Sequence, residues 1–208
     1  MTGWRTQMPF TSWSWNLLGL SFALSGYVAY ATSRDEPVNP WVLRAALLVY
    51  EVAAPQTLLV SAVVKYAIWP KVLKGTGDTT DLRSIKTLLW HNANSFMALL
   101  EVALLGGIPV YGAHLPVAPL FGFAYVLFSW SMQHFWKPKD GPQFLYFFLD
   151  TTLGETATFA LVALLLVLMS FFGLFYLAEM VLGILGTNVL VHSVFILVIC
   201  VGVCRFRD

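Results

Sequence analysis

An imidazole, two carboxamides and a carboxylate interrupt a stretch otherwise built for lipid. Trp90-His91-Asn92-Ala93-Asn94 is followed seven residues later by Glu101, all within the apolar run 85–110. On a helix advancing about 100° per residue, His91, Asn94 and Glu101 fall inside an arc of roughly 80°, with Ala98 among them. Ionisable groups at bilayer depth cost a few kcal/mol each, so this stripe should face a protein interior or a cavity. A neutral imidazole in that setting can take the proton of a hydroxyl nucleophile and return it to a leaving group. Asn94, one turn from His91, can orient the ring or donate to an oxyanion. Glu101 lies about 15 Å along the axis from His91, beyond direct contact on one helix. Its expected partner is a polar group elsewhere, such as Gln56. The same residue types also suit a plain interhelical hydrogen-bond cluster.

Candidate nucleophiles precede the first apolar run, in Phe10-Thr11-Ser12-Trp13-Ser14-Trp15-Asn16. This segment equally fits a capped helix start anchored at headgroup level by tryptophan. The second apolar run holds Glu51, Pro55, Gln56 and Thr57, and Pro55 is expected to kink it and free a carbonyl. After Gly141-Pro142, an aromatic run ends at Asp150, which is expected to start a helix there or at Thr151. His114 lies in a short loop and reads as solvated. His134 reads as interfacial, and His192 as bonded to a neighbouring helix. No two of the four histidines show helical ligand spacing, so neither a metal nor another cofactor is expected.

The elements that must position these groups follow from composition. The chain has 208 residues, of which 58% are hydrophobic and 11% charged, with a mean hydropathy of +0.73. That is the profile of an all-α, polytopic membrane bundle, a single domain over residues 1–208. Six spans are expected, at 15–32, 41–69, 85–110, 117–136, 155–183 and 189–204, with the Gly183–Asn188 patch as the last turn. Arg5 followed by an apolar stretch ending Ala29-Tyr30-Ala31 has the outline of a signal peptide, but its tryptophans and length favour an uncleaved helix. Cys200 and Cys204 share one helix face and read as packing residues. The net charge of +1 offers no surface for nucleic acid.

Charge sets the orientation. Lys65, Lys71, Lys74, Arg83 and Lys86 fall in one connection, Lys137 and Lys139 in another, and Arg205 and Arg207 after the last span. With six spans these share one side with Arg5. Both termini are therefore expected on the cytoplasmic side, or the matrix or stromal side in an organelle.

Four features in order carry a resemblance: Pro55 to Pro70 with a long basic connection, His91 with Glu101 ten residues on, Tyr125 through Trp130, and Gly141 through Tyr146-Phe147-Phe148-Leu149-Asp150. Over roughly residues 10–152 the chain resembles the FAR-17a/AIG1-like family, the androgen-induced and androgen-dependent TFPI-regulating proteins and their relatives. The resemblance implies an intramembrane threonine hydrolase of fatty acid esters of hydroxy fatty acids. It places the histidine at His91. For the hydroxyl, Thr11, Ser12 and Ser14 compete. Thr11 keeps the residue type, and the distance to Phe22 slightly favours Ser12. Gln56, Asn94, Glu101 and Asp150 are the supporting polar residues. Membrane lipids are the expected partners, with other membrane proteins possible. The alternative is a non-catalytic membrane subunit of a larger complex, which the aromatic content of 15% also suits. A transporter is disfavoured by the absence of an inverted repeat.

Overall fold

The computed structural model describes residues 7–105, 108–136 and 144–208. Among them every element is helical and no strand occurs. Six rods carry the architecture. They are α1 (Phe10–Ser33), α2 (Pro40–Gly75), α3 (residues 85–104), α4 (Val117–Ser131), α5 (Glu155–Ile184) and α6 (Val189–Val203). Three stretches, Pro40–Gly75, Gly112–Ser131 and Glu155–Ile184, are long and apolar enough to cross a membrane, and Val189–Val203 is apolar but shorter. That is fewer than the six expected from the sequence. The first and third rods are diluted by polar residues that they turn inward. Ser12, Ser14 and Ser21 of α1 and Asn92, Asn94 and Ser95 of α3 are all buried.

The central rod is α2, which touches all five of the others, most extensively α1. Of its most apolar stretch 72% is buried in the bundle, against 17% for α5, so α2 is core and α5 presents most of its surface outward. Tyr50, Ala53, Ala54 and Leu58 of α2 pack with Leu18, Leu99, Phe172 and Phe175. The turn into α2 is set locally. Asn39 accepts from the Trp41 amide at 2.9 Å, and Pro40 occupies the first turn, where no N–H is missed.

Irregularity falls elsewhere than at Pro55, through which α2 runs as α-helix. It falls at two π-helical turns, Val64–Ile68 and Leu89–Ala93. The first lies just ahead of Pro70, whose ring would crowd the carbonyl of Tyr66 in a regular turn; widening relieves this. Two further boundaries differ from expectation. The third helix stops at Leu104 and not at Val110, where Ile108-Pro109 cannot continue it. At Asp150 or Thr151, where a helix start was expected, there is only a short 3-10 turn, Thr151–Leu153, capped by Asp150; Gly154 then turns at φ 55°, and α5 starts at Glu155 as expected for the fifth span.

One end of the bundle gathers the basic residues. The segment after α6 folds back between α2 and α3. Asp208 accepts from the Trp69 indole at 2.8 Å and from the Thr79 hydroxyl at 3.1 Å, with Arg83 at 3.8 Å. Asn92 donates to the Arg205 carbonyl at 3.0 Å, and the Arg205 guanidinium lies over the Trp69 ring. Lys65 donates to the Gly202 carbonyl at 2.8 Å. The start of α1 is at this end too, since Tyr125 donates to the Met8 carbonyl and the Phe10 amide to the Tyr146 hydroxyl. Arg5 and the 137–143 connection with Lys137 and Lys139 lie outside the described residues.

Candidate functional site

The π-turn of α3 is the pivot of the polar interior. A widened turn leaves backbone carbonyls short of helical donors, and three side chains from three other elements supply them. The Trp15 indole of α1 donates to the Trp90 carbonyl at 2.6 Å. The Ser61 hydroxyl of α2 donates to the His91 carbonyl. The Cys204 thiol lies 3.9 Å from the Asn92 carbonyl. One turn deeper, Ser95 donates to the Thr57 carbonyl at 2.8 Å, and its hydroxyl sits 2.6 Å from that of Ser61. These bonds hold α1, α2 and α3 in fixed register at one depth.

Within that register several buried polar atoms have no hydrogen-bond partner among the described residues. They are Nδ1 of His91, Nδ2 of Asn94, both amide atoms of Gln56 and the hydroxyls of Ser14 and Ser21. Ordinarily such atoms are paired, and each unpaired one costs about 1–3 kcal/mol. Asn94 spends its oxygen on the Ser95 amide at 2.9 Å and keeps its two N–H donors. His91 and Ser95 are four residues apart, with Asn94 between, so the ring and the Asn94 amide leave the helix on one side.

The residues singled out in the sequence fare differently. His91, Asn94 and Gln56 belong to the buried polar interior formed by α1, α2 and α3. Ser12 is buried, while Thr11 is half-buried. Neither caps α1: its N-cap is Pro9, and no side chain caps it. The hydroxyls therefore lie within the first turns, beside the helices they can reach. Gln56 does not pair with Glu101, since both of its amide atoms lack a partner. Antiparallel packing explains this: Ser95 meets Thr57, so Glu101 is about one and a half turns from the depth of Gln56. Asp150 is apart from the site, with Oδ1 on the Thr152 amide at 2.9 Å and its hydroxyl at 2.6 Å.

A second polar centre lies at the opposite end. Glu51, fully buried, accepts from the Tyr111 amide at 2.6 Å and meets His114 Nδ1 at 2.6 Å. His114 is thus not a solvated loop residue but the partner of a buried carboxylate. Glu179 of α5 accepts from the Val110 amide at 2.9 Å. Two carboxylates from two helices so fasten the 110–114 segment over the bundle. Sequence reasoning passed over this pair because His114 is 63 residues from Glu51 and looked exposed. It also gave Ser14 little weight. The spacing Ser14, Leu18, Ser21, all buried at intervals of four and three, was the available signal.

No protein-family profile, curated protein or solved structure matches the chain.

Proposed function

We propose that the chain is a six-span integral membrane protein that hydrolyses lipid esters, with His91 as general base and Thr11 as nucleophile. Fatty acid esters of hydroxy fatty acids are the substrate class that the family resemblance implies. One observation carries the reading: the 2.6 Å bond from the Trp15 indole to the Trp90 carbonyl. Thr11 is one turn before Trp15 on the same face, and His91 follows Trp90 directly. The bond thus draws the hydroxyl cluster of α1 onto the turn that bears the imidazole.

In the reaction, Thr11 Oγ1 attacks the ester carbonyl while an imidazole nitrogen of His91 takes its proton. The uncommitted Asn94 N–H groups are placed to donate to the oxyanion. The imidazolium then protonates the departing alkoxide, and water cleaves the acyl-threonine by the same steps in reverse order. The substrate enters sideways between helices, with its chains solvated by lipid. The basic end faces the cytoplasm, matrix or stroma, as the positive charge at that end favours.

The test is turnover of a fluorescent hydroxy-fatty-acid ester by purified protein. Wild type is expected to turn over, and His91→Ala to lose about 100-fold or more. Separate Thr11→Ala, Ser12→Ala and Ser14→Ala variants assign the nucleophile. No turnover by wild type, or full turnover by His91→Ala, overturns the hydrolase reading in favour of a non-catalytic membrane subunit. Cysteine labelling should place positions 76 and 113 on opposite sides of the membrane.

A further inference from the structure

A cavity of about 490 Å³ opens between the end of α3, the end of α5 and the start of α6, at the end of the bundle away from His91. Its walls are mostly apolar, among them Val102, Leu104 and Leu182. Its polar lining is the hydroxyl of Thr187 and two ionisable side chains, Glu179 and His192. Its size and its lining, apolar with a few polar groups, are those of a site for a small molecule.

The hydrogen bonds already made fix what these two groups offer. His192 Nδ1 lies 2.5 Å from the Ala103 carbonyl, which can only accept, so Nδ1 carries a proton. In the neutral ring Nε2 is then a bare lone pair. That nitrogen is buried and has no partner among the described residues. Glu179 uses Oε2 on the Val110 amide, and Oε1 makes no hydrogen bond among the described residues. The cavity therefore offers the Glu179 carboxylate within apolar walls, with the His192 nitrogen closed off in its wall and the Thr187 hydroxyl able to accept or donate. A carboxylate between low-dielectric walls is best satisfied by a cation that also donates hydrogen bonds.

We propose that this cavity binds the ammonium headgroup of a single-chain amphiphile, with the ammonium on the free Oε1 of Glu179 and the alkyl chain along the apolar walls. A long-chain alcohol satisfies the same acceptor without the charge and is expected to bind more weakly. A fatty acid anion meets the Glu179 carboxylate and is repelled by it. The inference is independent of the hydrolase reading, whose residues lie at the other end.

The test uses full-length protein in phosphatidylcholine nanodiscs, with dodecylamine carrying a mid-chain diazirine. After irradiation, labelling is mapped by mass spectrometry. Labels are expected on 102–104, 108 and 182–189, and excess dodecylamine should displace them at about tenfold lower concentration than dodecanol, with laurate ineffective. Glu179→Gln is expected to weaken labelling about tenfold or more, as loss of a charge-assisted bond does. Gly183→Phe tests the cavity without touching either ionisable group. A Cβ at Gly183 meets no atom within 4 Å, so the variant has room to fold while its ring fills the space. It should abolish labelling at these segments. Labels spread along α5 alike in all three proteins would mean lipid contact only, and would overturn the proposal. Equal competition by laurate, or wild-type labelling of Gly183→Phe, would overturn it as well.

Discussion

The buried carboxylate of Glu51 is held by His114 Nδ1 at 2.6 Å, across 63 residues of sequence. Together with the Tyr111 amide on the other oxygen, this bond compensates a carboxylate buried in the first third of the bundle's central helix. Removing one partner of such a pair is more damaging than removing both, because the remaining charge has nowhere to go.

His114→Ala should therefore destabilise the protein by about 2–3 kcal/mol. This is below the ~3–5 kcal/mol of a fully buried broken pair, since the imidazole is 35% exposed. Glu51→Gln should cost less, and the double variant less than the sum of the two. Thermal unfolding of the four proteins in one detergent gives the cycle. Additive losses would show that Glu51 depends on the Tyr111 amide and not on the ring.

Trp15→Phe keeps an aromatic ring at the start of α1 and deletes one donor. The Trp90 carbonyl then loses its outside partner in a turn that already lacks helical ones. The expected cost is about 1–2 kcal/mol. Its more specific sign is local: His91 should react faster with diethyl pyrocarbonate than in wild type. An unchanged rate would mean that α1 is held on α3 by packing alone.

The polar stripe of α3 was legible because helical periodicity and the cost of burying charge act on neighbouring residues. From them it follows that His91 and Asn94 turn inward. Relations between distant segments were not legible. Whether Gln56 meets Glu101 depends on the stagger of α2 against α3. That stagger is set by Ser61, Ser95 and Thr57, small polar residues indistinguishable in the sequence from helix-satisfying ones. The π-turn at Leu89–Ala93 was equally hidden, since its carbonyls take their donors from Trp15 and Ser61, 75 and 30 residues away. The first and third rods also show why hydropathy undercounts helices. The residues that lower it, such as Ser14 and Asn94, are wholly buried.

Gly122 of α4 marks a close approach to α5. A Cβ there would stand 2.4 Å from Leu168 Cδ1 and 3.1 Å from Leu165 Cδ2. Gly122→Ala forces the Leu168 side chain to rotate, and Gly122→Val forces the helices apart. Overpacking of this kind is expected to cost about 1–3 kcal/mol, more for valine. Gly173→Ala is the control, because a Cβ there meets nothing within 4 Å and alanine favours helix. Unfolding midpoints should fall for Gly122→Ala and rise or hold for Gly173→Ala. A fall in both would point to a general intolerance of α4 and α5 to added volume.

The segment after α6 should undock in acid. The Trp69 indole bonded to Asp208 holds its carboxyl below the ordinary range, with the Thr79 hydroxyl and the charges of Arg83 and Arg205 acting in the same direction. A carboxyl depressed in the docked state favours docking fully above its free value of about 4. That contribution is lost as pH falls through the depressed value, so the change is confined to pH below about 4. The fluorescence difference between wild type and Trp69→Phe isolates Trp69 from the other tryptophans. It should be flat at neutral pH and shift below about pH 4. Asp208→Asn keeps an acceptor for the indole but has no proton to gain, and should abolish the step. A step that survives in Asp208→Asn would show that another carboxyl, and not Asp208, titrates it.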